Sequence, residues 1–274
     1  MTKAIYDFGA NNGDDIPYYL KKSDLVVAVE ANPVLCAQIR DRFQVEITQG
    51  KLIVENCVVS THSSAAVSFW IHRTNHVLSQ FPRPGDQEVG EFEEVLLPSK
   101  SAVDLIKAHS EPHYIKIDIE RFDAAILRSL FENGIRPPFI SAESHTVEVF
   151  ALLVAVGHYG AFNLVDGATV DKVYRSHPIK TASGIESYSF PFHSAGPFGD
   201  DLRDDWMGPD DFFKMLACEG LGWKDVHATT SIAPKADVPD RTVHHLLNEL
   251  KRRSIYRLKK AVPEPVRQVL RRGH

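Results

Sequence analysis

Residues Ile5-Tyr6-Asp7-Phe8-Gly9-Ala10-Asn11-Asn12-Gly13 constrain the fold more than any other stretch: an apolar run stops at a glycine-bearing turn, and a helical pattern starts directly after it. Glycine tolerates a left-handed backbone and has no Cβ to hold a neighbouring strand or a ligand away, and the first turn of the next helix offers unpaired N–H groups. Strand, glycine turn and helix in that order open a βαβ unit, and the chain repeats the alternation. Strands are predicted over 4–8, 25–30, 52–60, 114–119, 139–144 and 162–165, and helices over 14–22, 33–43, 99–109, 122–133, 147–156 and 209–219. Pro33 suits a first helical turn, Ser99 a cap, and Gly134 and Gly157 stops. The expectation is an α/β fold with a largely parallel sheet. An extra strand is predicted over 67–72. Residues 73–95, with Pro82, Pro84, Gly85 and Gly90, read as an irregular insertion able to cover a site. The stretch beyond 165, up to Trp206, gives no local signal.

The turn departs from the dinucleotide pattern GxGxxG, because Asn11 and Asp14 stand where the second and third glycines belong. Asp14 and Asp15 also place acids at the start of the helix, which disfavours a pyrophosphate there. A ligand with a cationic centre fits better. Asp7 suits the amino end of a methionine, and Glu30, ending the second strand, has the oxygens to accept both hydroxyls of a ribose. That pairing favours S-adenosylmethionine.

At this point the chain resembles the FkbM family of class I methyltransferases. The family's D-x-G-A-N-x-G is matched by Asp7, Gly9, Ala10, Asn11 and Gly13, and its acid followed by Asn-Pro by Glu30-Ala31-Asn32-Pro33. A second hallmark, K-I-D-I-E-G, is similar to Lys116-Ile117-Asp118-Ile119-Glu120, with Arg121 where the family usually has glycine. A third stretch, Ser194-Ala195-Gly196-Pro197-Phe198-Gly199-Asp200-Asp201-Leu202, with Trp206 and Trp223-Lys224-Asp225-Val226-His227-Ala228, resembles a subgroup. The resemblance spans about residues 4–230. It implies a Rossmann-like sheet of seven mostly parallel strands with helices on both faces, and methyl transfer from S-adenosylmethionine, usually to oxygen, in glycan, glycolipid or polyketide-type pathways. It implies a cofactor site drawn from Asp7, Gly9, Ala10, Asn11, Gly13, Glu30, Ala31, Asn32, Asp118 and Glu120, with Asn56 and Cys57 at the edge of the adenine pocket.

Side chains two apart on a strand share a face, so Lys116, Asp118 and Glu120 are expected to project together, as are Glu143 and His145. Open α/β sheets bind ligands at the carboxyl ends of their strands, where these acids lie. Methyl transfer from a sulfonium is an in-line displacement that requires an aligned acceptor and removal of its proton. His145 is the first candidate base, with Glu143 and Asp118 beside it. His227 is the second, oriented by Asp225. Asp118, Glu143 and His145 offer donors that divalent ions take, but their spacing matches no diagnostic motif, so no metal is expected.

The net charge of −5 hides an asymmetry. Residues 241–274 hold ten Lys/Arg against Glu249 and Glu264, a local +8 that leaves −13 on residues 1–240. An acidic body argues against nucleic acid as partner and leaves a small molecule or glycan. Residues 1–235 are read as the methyltransferase domain and 236–274 as a basic helical extension, either packed on the acidic body or in peripheral contact with an anionic inner membrane surface. Three dispersed cysteines, no apolar leader and no transmembrane run fit the cytoplasm. Two rivals stay open: an NAD(P)-dependent reductase on the same fold, which should show the missing glycines, and a non-catalytic S-adenosylmethionine-binding protein.

Overall fold

The computed structural model describes residues 3–203 and 206–235. The first half alternates as the sequence predicts: β1 (Ala4–Phe8), α1 (Ile16–Lys22), β2 (Leu25–Val29), α2 (Pro33–Arg42), α3 (Gln44–Thr48) and β3 (Leu52–Glu55). A side sheet follows, made of β4 (Val58–Ser60), β5 (Ser64–His72) and β6 (Phe92–Ser101) in the order β4-β6-β5. Next come α4 (Ala102–Ala108), β7 (Pro112–Ile117), α5 (Asp123–Glu132), β8 (Phe139–Glu143), α6 (Val147–Ala155) and β9 (Ala161–Asp166). After α7 (Val170–Val173), the hairpin β10 (His177–Thr181) and β11 (Gly184–Tyr188) fills part of the stretch that the sequence left unread, before α8 (Pro209–Glu219) and β12 (Lys224–Thr229).

The main sheet runs β3-β2-β1-β7-β8-β12-β9, with β12 alone antiparallel to its neighbours. This is the Rossmann-like arrangement that the resemblance implies, and its strand order reverses between β1 and β7, the place where such sheets open a crevice. All five residues of β1 are buried. Tyr6 and Phe8 feed a core with Leu105, Ile126 and Phe131, whereas Ile5 feeds a second core with Ile16, Tyr19 and Ile39. Alternate side chains of one strand thus anchor helices on opposite faces. Each large apolar side chain fully buried this way contributes about 1.5–3 kcal/mol.

Three sequence expectations are corrected. Residues 52–60 are two strands in different sheets, because the chain turns at Asn56-Cys57 and spends the Asn56 amide on the carbonyls of Glu30 (2.9 Å) and Ala31 (3.0 Å). The helix predicted over 99–109 starts at Ala102. Ser99 to Ser101 still pair with β4, and Ser101, not Ser99, is the cap, accepting from the Asp104 amide at 2.9 Å. β12 has no counterpart among the predicted strands, since Lys224, Asp225, His227 and Thr229 are polar and yet buried. Among the described residues no helix is long and apolar enough to cross a membrane. The basic extension predicted over 236–274 lies outside the described residues.

Candidate active site

The site begins at Gly9, whose φ is +88° and where a Cβ would stand 1.9 Å from the backbone oxygen of Asp118. Only a residue without a side chain lets the β1 turn close on the end of β7. The amides of Gly9 and Ala10 both donate to Val29 O at 3.0 Å, which draws the turn against β2. Gly13, also left-handed, packs instead on Ile16, Ile39 and Phe43.

Glu30 lies just past β2. The amide of Asn11 donates to its Oε2 and that of Asn32 to its Oε1, each at 2.7 Å, while the Asn32 side chain caps α2 at the Val34 amide. Each carboxylate oxygen keeps a lone pair for a further donor. Burial pushes the Glu30 carboxyl up to about 7, with the two amide donors opposing. Asp7, by contrast, faces the sheet interior. Lys116 stands 3.3 Å from both Asp7 and Asp118 and donates to Gly9 O at 3.0 Å. Against the cost of burial, those carboxylates hold Lys116 protonated.

A cavity of about 530 Å³ opens above these strand ends, a size suited to a small-molecule site. Of the residues expected at the cofactor, Gly9, Asn11, Glu30, Ala31, Cys57, Asp118 and Glu120 line it. Asp7, Ala10, Gly13, Asn32 and Asn56 do not: they hold the turn, the β2 end and Lys116 in place. Asp118, Glu143 and His145 of the catalytic candidates line it, and His227 does not. His227 is buried inside the sheet, its ring parallel to Tyr114 at 6.4 Å, and burial lowers it to about 3. It is correctly placed for packing, not for taking a proton from a bound acceptor.

Strand alternation does put Asp118 beside Lys116 and Glu143 beside His145. Glu120 arrives differently: β7 has ended, and Glu120 and Arg121 both take left-handed backbone, φ 44° and 66°. That turn brings Glu120 Oε2 to 3.3 Å from His145 Nε2, which lies 2.7 Å from Glu143 Oε2. The carboxylates of Glu120 and Glu143 raise His145 to about 10, so in the free protein it carries its proton at neutral pH and is no free base. Burial raises Glu143 to about 7.

The sequence missed part of the wall. The insertion supplies Asn75 to Ser79 and Phe81, the last meeting Phe122 edge to face at 5.0 Å, as expected for a cover. His193 and Trp223 form the far rim with Phe192, whose ring meets Trp223 at 5.3 Å. Trp223 rests on Gly167, where a Cβ would be 2.4 Å from the indole nitrogen. The Ser194 motif has a structural task. Ser194 Oγ and the Ala195 amide donate to Asp15, so that acid turns away from the ligand side of α1. Asp14 pairs with Arg42 at 3.2 Å.

The residues present fit an S-adenosyl cofactor: an acid with free lone pairs at the β2 end, the Gly9 turn on the cavity wall, and apolar Leu35, Val58 and Cys57 beside it.

Among solved structures, the methyltransferase FkbM from Methylobacillus flagellatus KT is 14% identical with a TM-score of 0.41, over 60% of this chain and 40% of that one. This chain therefore spans less than half of that protein. An O-methyltransferase from Bacillus cereus in complex with SAH is 8% identical with a TM-score of 0.37, over 84% and 74%. A putative O-methyltransferase from Klebsiella pneumoniae gives 8% and 0.38 over the same shares. No curated protein matches the chain. The Methyltransferase FkbM domain matches residues 7–159, more than half of the chain and all of the β1, β2, β7 and β8 ends that build the cavity. The chain belongs to the FkbM family of methyltransferases.

Proposed function

We propose that this methyltransferase uses S-adenosylmethionine to methylate a hydroxyl oxygen of a ring-bearing small molecule or glycan. One observation carries the reading: a single cavity joins Glu30, suited to a ribose, to a proton-handling cluster of Glu120, Glu143 and His145. The cofactor supplies an electrophilic methyl group on a sulfonium. Asp118 and the Gly9 turn sit between the two ends and would orient its amino-acid portion. Glu120 and Glu143 would hold an acceptor hydroxyl and take its proton as its oxygen receives the methyl group that the cofactor would supply. The rim of Phe192, His193 and Trp223, with Phe192 46% and Trp223 40% exposed, supports a ring in the acceptor. A contact of the described body with nucleic acid finds no support in its acidic charge.

The test is calorimetric titration with S-adenosylhomocysteine, followed by transfer of labelled methyl to hydroxylated acceptors. Glu30→Gln should weaken binding about 10- to 100-fold, as expected for losing a charge-assisted acceptor of two hydroxyls. A folded wild type that binds neither form of the cofactor would sink the proposal, and binding without transfer to any hydroxyl would leave only its cofactor half standing.

A further inference from the structure

We infer that Glu120, Glu143 and His145 form a site for a divalent cation of the magnesium or manganese class, which seats the acceptor hydroxyl. The inference rests on the acceptor reading above and departs from the sequence expectation of no metal. One ligand atom from each residue lies within 4.8 Å of the others, near enough for small side-chain shifts to bring all three to one ion. The separations of the two carboxylates from the imidazole nitrogen, 2.7 and 3.3 Å, bracket the edge of about 3 Å expected for neighbouring ligands with bonds of about 2.1 Å. Oxygen donors joined by one imidazole suit manganese and magnesium better than soft ions.

The ring nitrogen gives the second observation. His145 Nε2 is enclosed and lacks a well-aligned hydrogen bond, although carboxylate oxygens of Glu143 and Glu120 stand 2.7 and 3.3 Å away. A cation seated here displaces the imidazole proton, and the nitrogen then joins the two carboxylate oxygens as a third ligand. The surroundings call for positive charge. Asp123 and Asp225 are 2% and 4% exposed, and each has a carboxylate oxygen without a hydrogen bond. Asp123 opens α5 behind the Glu120 turn, and Asp225 is the register partner of Glu143. With Asp118 they make five carboxylates, and the neighbouring ammonium, Lys116, is shared between Asp7 and Asp118. Acids packed this closely disfavour one another's ionisation, and a cation among them relieves that. The open side of the cluster faces the cavity, so water and an acceptor hydroxyl complete the coordination. A hydroxyl bound there is acidified and aligned, and its proton leaves to solvent or carboxylate.

The test is an electron paramagnetic resonance titration of the full chain with Mn²⁺, alongside calorimetry with S-adenosylhomocysteine in EDTA. One bound Mn²⁺ per chain is expected. Glu120→Gln and His145→Ala should each weaken it about 10- to 100-fold, while Glu93→Gln, at an exposed position of β6, should not change it. Circular dichroism checks each fold, and Glu120→Gln, conservative and half-buried, decides the matter if His145→Ala unfolds. No bound Mn²⁺ at millimolar concentration, or binding indifferent to both substitutions, overturns the site even if the cofactor binds. Loss of cofactor binding with Mn²⁺ retained would instead remove the cofactor reading alone.

Discussion

At position 9 a methyl group has no space. Gly9→Ala adds a Cβ 1.9 Å from Asp118 O in a left-handed backbone, so the β1 turn and the β7 end must part. The conformational penalty alone is about 1–2 kcal/mol. We predict a melting temperature lower by about 5–10 °C and no measurable cofactor binding. Gly90→Ala, with nothing within 4 Å, should be nearly neutral in the same melts. Glu30 gives a second residue-scale prediction. Its carboxyl, pushed up to about 7 by burial, must be ionised to accept two ribose hydroxyls. Cofactor affinity should therefore rise between pH 6 and 8, and Glu30→Gln should flatten that rise. A flat wild-type profile in pH-resolved calorimetry would count against the role of Glu30. Asp118, Glu143 and His145 were legible because strand alternation is a local rule. Glu120 was legible as a site residue too, but its approach to His145 was not, because it depends on two left-handed residues after the strand, and the place of Trp223 depends on contact with Gly167, far away in sequence.

Elements were legible where one face of a strand or helix is apolar, and obscure where pairing partners decide. β1, β2 and α8 fall as predicted within a residue, whereas β12 carries buried polar side chains that only its insertion between β8 and β9 explains. The most consequential tether between elements is that of α1 to residues 190–202. Asp15 takes Ser194 Oγ and the Ala195 amide. Tyr18 donates to Asp201 at 2.9 Å, and Phe198 stacks on Tyr114 at 4.0 Å. Because His193 at the rim adjoins this tether, α1 indirectly positions the acceptor wall. Asp15→Ala leaves two buried donors, Ser194 Oγ and the Ala195 amide, without their acceptor, at about 1–3 kcal/mol each, whereas Ser194→Ala unpairs the Gly196 amide but keeps the Ala195 bond. We predict the larger loss of thermal stability for Asp15→Ala, with faster proteolytic cleavage within 190–202. Equal stability of the two variants would mean that the tether bears no strain from the rest of the fold.

Across the whole molecule, an acidic crevice has been built where folding must bury carboxylates. Burial raises Asp15 to about 6, Glu30 to about 7 and Asp123 to about 8, from ordinary values of 3.8, 4.5 and 3.8. Between the ordinary and the raised value the folded state holds the extra proton, so each group's stabilising contribution is present at low pH and is lost as pH rises through 6 to 8. Buried His227, lowered to about 3 from 6.5, acts in the opposite sense: the unfolded chain binds the extra proton between those values, so stability falls as pH drops below 6.5. Each group changes stability by about 1.4 kcal/mol per pH unit within its window. Three carboxylates outweigh one histidine, so the ligand-free protein should melt higher at pH 5.5 than at pH 8.5. Asp123→Asn, which keeps the side-chain shape without the titrating proton, should narrow that difference, and His227→Gln should widen it by removing the opposing slope. Scanning calorimetry at the two pH values, on wild type and both variants, checks the ordering. A wild type more stable at pH 8.5 would show that the buried acids remain ionised throughout, with charge compensation coming from elsewhere in the chain.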